Sequence, residues 1–144
     1  FMYNFTSSPW KAQREVQNIL KEEYVDGPGG LSGNDDAGQM SAWYVFATIG
    51  LYPLDPVASE YMITTPLFDS VKIITNQNSS FEIIINKKTA QSKYIKSIRL
   101  NGKKYSNNFI HHESIIRGGK MEIELVDMPT PWGARKNNRS KRNK

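Results

Sequence analysis

The helix that reads from Ala37 to Ile49 is apolar nearly all round, and this limits what the chain can fold into more than any other feature. Met40, Trp43, Tyr44, Val45, Phe46, Ala47 and Ile49 leave it no wide polar face. Such a helix is stable only when other elements cover most of its sides. Gly50 as a C-cap and Pro53 shortly after are its stop signals. The other helical pattern, Trp10 to Tyr24, is amphipathic, with Val16, Ile19, Leu20 and Tyr24 on one side. Lys11, Gln13, Arg14, Gln17, Lys21 and Glu22 form its polar side, and Ser8-Pro9 supplies an N-cap followed by proline at the first helical position. Two helices cannot bury the second of them, so the chain is expected to be a fragment of a larger fold. The opening run Phe1-Met2-Tyr3-Asn4-Phe5 has the same interior character.

Between the helices, Asp26-Gly27-Pro28-Gly29-Gly30 breaks the pattern and predicts a loop as far as Asp36. After Leu54-Asp55-Pro56 the period changes from helical to two. Residues 61–65, 71–75, 81–86, 94–100 and 121–126 are rich in β-branched and aromatic side chains and read as strands. Asn101-Gly102 is a two-residue hairpin signal leading into Lys103-Lys104-Tyr105, and Gly118-Gly119 precedes the last strand in the same manner. The fold class is therefore α+β, with two helices beside a small antiparallel sheet or sandwich. The chain divides into a helical segment 1–56, a β segment 57–133 and a tail 134–144.

The 144 residues have the length of one domain, and 38% hydrophobic and 11% aromatic content suits a packed core. No apolar run is long enough to cross a bilayer, and no signal peptide opens the sequence. The absence of cysteine excludes a disulfide framework, a thiol nucleophile and thiolate metal sites. The net charge of +5 is concentrated in the tail, where Arg135, Lys136, Arg139, Lys141, Arg142 and Lys144 have no acidic neighbour. Without them, 13 basic residues face 14 acidic ones. The body carries no footprint for nucleic acid, and the basic tail reads as a disordered terminus.

Chemistry concentrates in the loop Gly30-Leu31-Ser32-Gly33-Asn34-Asp35-Asp36-Ala37-Gly38-Gln39-Met40-Ser41-Ala42-Trp43. One reading is structural. Asp36 is a good N-cap, and Asp36-x-x-Gln39 fits a capping box that satisfies orphan backbone donors. The other reading is chemical. A carboxylate beside free amides and a positive helix end stays ionised with a depressed pKa, as a metal ligand or an assisted base requires. Asp and Asn side chains with nearby carbonyls are hard oxygen ligands suited to calcium. Spacing leaves both readings open.

The run Gly33-Asn34-Asp35-Asp36-Ala37-Gly38-Gln39-Met40-Ser41-Ala42-Trp43-Tyr44-Val45-Phe46, continuing to Gly50-Leu51-Tyr52-Pro53, resembles the signature of family 92 glycoside hydrolases. The resemblance extends to Tyr3-Asn4-Phe5 and Pro9-Trp10-Lys11 upstream. Downstream it takes in Glu60-Tyr61, Pro66-Leu67-Phe68-Asp69, Leu100-Asn101-Gly102-Lys103 and Gly118-Gly119. It implies an exo-acting α-mannosidase that inverts configuration, requires calcium, and pairs an N-terminal β-sandwich with an (α/α)6 catalytic barrel. Segment 1–56 would then hold the last helices of that barrel and its base-carrying loop. Inversion needs a general acid on one side of the glycosidic bond and a base activating water on the other. By the resemblance, Asp36 is the base and a calcium contact, direct or through water, and Asn34 orients the water. Asp35 is a further catalytic candidate and Gly33 a substrate contact. Asn34 stands where other members carry a carboxylate, and Ala37 where many carry cysteine. The general acid and most calcium ligands are expected upstream of Phe1, in a missing N-terminal part or on a partner chain. A mannose-containing glycan, probed most often at α-1,2 bonds, and a secreted or periplasmic location are implied in the same way.

Other candidates weigh less. His111-His112 would point to opposite faces of a strand and could not chelate one ion. Trp10 could stack on sugar, although packing is the simpler role for it. Trp43 reads as core, and Trp132-Gly133 as a closure of the last β segment. Sequons at Asn4, Asn78 and Asn138 arise easily in Asn-rich sequence. The rival to the enzyme reading is a non-catalytic remnant that binds carbohydrate or assembles with a partner.

Overall fold

The computed structural model describes residues 1–55, 57–76 and 79–134; the expected basic tail lies almost wholly outside the described residues. Helix α1 spans Trp10–Glu22 and buries Ala12, Val16 and Leu20, which fall on one line at four-residue spacing. Gln13, read from sequence as polar surface, is buried beside them. Its side-chain carbonyl accepts the N–H of Ile95 at 2.9 Å and ties α1 to the sheet. The expected Ser8 cap is displaced. Pro9 takes the cap position, and Ser8 contributes its backbone carbonyl to the N–H of Lys11 at 3.1 Å.

Helix α2 spans Gln39–Ile49 and ends in a left-handed Gly50 whose N–H bonds the carbonyls of Phe46 and Ala47. A side chain at Gly50 would meet the Pro66 ring at under 3 Å, so this position needs glycine for space as well as for φ. Only Ala47 and Thr48 of the helix are buried, while Tyr44 and Val45 are exposed. Burial on most sides is therefore not reached among the described residues, although α1, β1 and the rings of Tyr24 and Tyr61 pack against α2. Trp43 is half-buried against Val16, Leu20 and Ala47.

The chain passes from α2 straight into β1 (Leu51–Asp55), a strand that Pro53 concealed. Proline is tolerated there because β1 is the edge of a three-stranded antiparallel sheet ordered β1-β2-β7, with β2 at Glu60–Ile63 and β7 at Phe109–His111. The second sheet has five strands ordered β3-β4-β8-β5-β6. They are β3 (Ser70–Asn76), β4 (Ser79–Lys87), β5 (Tyr94–Leu100), β6 (Lys103–Tyr105) and β8 (Gly119–Val126). Asn101 and Gly102, both at positive φ, turn β5 into β6 as a tight hairpin.

This sheet is mixed, which corrects the antiparallel expectation. β8 inserts between β4 and β5, antiparallel to β5 and parallel to β4, with Ile83 beside Met121 and Ile85 beside Ile123. Gly118-Gly119 does not make a hairpin. It joins β8 to a short helix α3 (His112–Ile116) that the sequence reading missed. Alternate residues of β4 and β8 face inward, so Phe81, Ile83, Ile85, Met121, Ile123 and Leu125 lie on one face. Leu51, Ile63, Ile95, Ile98, Ile110 and Ile115 complete a single core shared by both sheets and α3. Trp132 packs on that core and donates its indole N–H to the Tyr105 carbonyl at 3.3 Å. The outward face carries the ion pairs Lys72–Glu82, Lys96–Glu124 and Lys120–Glu122.

Replacing Gln13 by Ala strands the buried Ile95 N–H, which costs about 1–3 kcal/mol. A lower urea midpoint and faster hydrogen exchange at the Ile95 amide are the expected outcomes, with the exposed Asn18→Ala as the unaffected control.

Candidate functional site

The loop is anchored at both ends on the first turn of α2. On the incoming side, the isolated pairing of Tyr24 with Leu31 closes the glycine-rich turn. Val25 N–H bonds the Gly30 carbonyl at 3.1 Å, and Gly30 N–H bonds that of Gly27 at 3.0 Å. Tyr24, read from sequence as a helical residue, lies beyond the end of α1 and turns towards α2. Its hydroxyl donates to the Met40 carbonyl at 3.1 Å. Its ring stacks on Trp43, centroids 5.6 Å apart, and leans on Tyr44 at 5.0 Å. Burial, followed by the nearby Asp35 charge, raises the Tyr24 pKa and keeps the hydroxyl protonated as a donor.

On the other side the anchor is Asp35. Its Oδ1 accepts the N–H groups of Met40 at 2.8 Å and Ser41 at 3.1 Å, and its Oδ2 accepts the Ser41 hydroxyl at 2.5 Å. These bonds, the Ser41 hydroxyl first, hold its carboxyl below the usual aspartate range. The capping role expected of Asp36 and Gln39 thus belongs to Asp35. The reason is backbone geometry. Ala37 (φ 52°, ψ 25°) and Gly38 (φ 76°, ψ 16°) are both left-handed, so the chain reverses between Asp36 and the helix. That reversal carries Asp35 over the helix end and turns Asp36 away from it.

Asp36 and Asn34 are both exposed, and among the described residues neither side chain has a hydrogen-bond or ion-pair partner. Gly33 lies nearby, with room for a side chain to meet the Met40 sulfur at 3.8 Å. The loop thus holds two kinds of group: the Asp35 carboxylate, bonded three times to the start of α2, and the Asp36 carboxylate and Asn34 amide, without partners among the described residues. Cavities of about 600 Å³ and about 400 Å³ flank Tyr24, the first against Leu31, Tyr44 and Val45, the second against Ile19, Met40 and Trp43. Neither is lined by Asp36, whose surroundings within this chain are open. Trp10, at the N-terminal end of α1, packs edge-on against Tyr94 with ring centroids 6.3 Å apart.

Among the described residues no three His, Cys, Asp or Glu side chains converge as a metal site. Asp36 and Asn34 offer two hard oxygen donors, which fit calcium as part of a ligand set. The two histidines are not strand neighbours as expected, since His111 ends β7 and His112 begins α3. Each faces its own partner: His111 lies 3.4 Å from the Glu60 carboxylate, and His112 Nδ1 is 3.0 Å from the Tyr61 hydroxyl. Of the sequons, Asn4 is buried, and Asn78 and Asn138 lie outside the described residues.

Residues 1–127 match the model of the glycosyl hydrolase family 92 catalytic domain. The chain belongs to glycoside hydrolase family 92. This family 92 chain is 32% identical to an inverting mannosidase of the family from Bacteroides thetaiotaomicron, with a TM-score of 0.85. A second α-mannosidase of that organism, solved with mannoimidazole, gives 32% identity and 0.84. In each case 92% of this chain covers 18% of the other. An uncharacterized secreted glycosidase of Arthroderma benhamiae is 31% identical over 140 residues, again 18% of its length. The chain therefore spans under a fifth of the length of these three relatives. No helix among the described residues is long and apolar enough to cross a membrane.

The sequence signal for Tyr24 and Ser41 was weak, because a tyrosine after a helix and a serine in a first turn are common in structural roles. Their importance lies in what they bond. Because the folded pKa of Asp35 is depressed, its contribution is complete above the ordinary aspartate range and is lost as pH falls through the folded value. Relative to their intrinsic rates, the amides of Met40 and Ser41 are expected to lose protection only below the ordinary aspartate range. Asp35→Asn removes that acid-triggered step.

Proposed function

We propose that the complete protein is an inverting, calcium-dependent exo-α-mannosidase, and that this chain supplies its general-base loop. The observation that carries the reading is the unequal pair of adjacent aspartates. Asp35 accepts three hydrogen bonds from the start of α2, whereas Asp36 is exposed with its oxygens free among the described residues. A free, ionised carboxylate on a rigid support is what proton abstraction from an attacking water requires. Asp36 takes the proton, and the Asn34 amide orients the water without competing for it. The other catalytic carboxyl group, the acid, stands across the glycosidic bond on a part of the protein beyond these residues. Asp36 and Asn34 oxygens are the donors this chain would offer to calcium. Calcium, when bound, engages mannose hydroxyls and favours distortion of the ring towards an oxocarbenium-like geometry.

In this reading residues 1–56 hold the last helices of an (α/α)6 barrel, and 57–133 form the β region behind them. The exposed Tyr44 and Val45 of α2 are the surface that neighbouring barrel helices would cover. The substrate is a mannose-terminated glycan with α-1,2 linkage, and the protein works outside the cytoplasm, as the secreted fungal relative suggests.

Asp36→Asn in the complete protein should lower turnover of an α-mannobioside about 10²–10⁴-fold without changing the unfolding temperature. Chelation of calcium should abolish the wild-type activity. Normal rates in Asp36→Asn would remove that residue from the mechanism, and an inactive wild type would favour a binding or assembly role.

A further inference from the structure

We infer that Asp35 is a positioning residue for the base: it pins the catalytic loop to α2 and takes no proton itself. The inference rests on Asp36 being the base and concerns how that base is held. Three of the four lone-pair sites of the Asp35 carboxylate are occupied, two by the Met40 and Ser41 amides and one by the Ser41 hydroxyl. A carboxylate committed in this way is a poor base and cannot swing towards a water. Its location explains what the bonds are for. Ala37 and Gly38 both adopt left-handed backbone, a conformation that a residue with a Cβ leaves unless its surroundings hold it. Asp36 sits immediately before that pair, so its direction depends on the reversal being maintained. Met40 is gripped from both sides, its N–H by Asp35 and its carbonyl by the Tyr24 hydroxyl. Tyr24 and Asp35 together therefore clamp the loop across one residue of the helix, through the two peptide units that flank it. Loss of the Asp35 side frees Ala37 to leave the left-handed region and takes Asp36 with it.

The two substitutions at this position separate positioning from proton transfer. Asparagine keeps Oδ1 as an acceptor for both amides and presents an N–H to the Ser41 oxygen, so the clamp survives without the charge. Alanine removes every bond. In the complete enzyme, assayed on an α-mannobioside with calcium, Asp35→Asn should stay within about 10-fold of wild-type kcat. Asp35→Ala should fall about 100-fold, the scale of an ångström's misplacement, with KM little changed. Ser41→Ala should fall between them. The acid limb of the pH profile should persist in Asp35→Asn and disappear only in Asp36→Asn. Equal losses in Asp35→Asn and Asp35→Ala, or an acid limb lost with Asp35→Asn, would overturn the inference. If Asp35→Ala does not fold, Asp35→Asn and Ser41→Ala still decide through their rates and pH profiles. Asp36→Asn, measured alongside, tests the base assignment separately, since its normal turnover would sink that reading whatever the Asp35 variants do.

Discussion

Phe81, Ile83 and Ile85 of β4 and Met121, Ile123 and Leu125 of β8 present one continuous apolar face, and the demand to cover it organises the chain. Each such side chain contributes about 1.5–3 kcal/mol when fully removed from water. The three-stranded sheet and α3 answer from the opposite side through Leu51, Ile63, Ile110 and Ile115. Helix α2 is tied to this core at its end, where Ile49 packs on it and Gly50 lies against Pro66. Helix α1 is tied through Gln13 and Ile95. The β region is thus the platform on which the two helices, and the loop between them, are held.

Upon that platform the adjacent aspartates are made unlike each other without any difference in residue type. One peptide unit separates them, yet Asp35 spends its oxygens on the end of α2 while Asp36 keeps its own free. The left-handed Ala37 and Gly38 create that division. A substitution of a turn residue can therefore change how the two carboxylates are held without touching either, because backbone direction and hydrogen bonding, rather than charge, set them apart.

The incomplete cover of α2 agrees with the length of the relatives. Its apolar residues meet α1, β1 and the rings of Tyr24 and Tyr61, and several still remain exposed among the described residues. The exposed Tyr44 and Val45 adjoin the cavity beside Tyr24. The helix that bears the loop thus also carries exposed apolar side chains beside it.

By itself the sequence determined the local elements and singled out one loop as the candidate for chemistry. Helical spacing marked both helices, period two marked most strands, and Asn101-Gly102 marked its hairpin, since each signal is written in neighbouring residues. The glycine-bounded Asn34-Asp35-Asp36 motif marked the candidate loop, and its resemblance to family 92 agrees with the match over residues 1–127. Long-range contacts decided the rest. The parallel pairing of β4 with β8 joins segments more than thirty residues apart, and β1 was concealed by a proline that only an edge position tolerates. Gln13 became a core residue because the Ile95 amide needed an acceptor. Which aspartate caps the helix and which stays free followed from two left-handed residues, a backbone choice that composition does not encode and that only the assembled loop enforces.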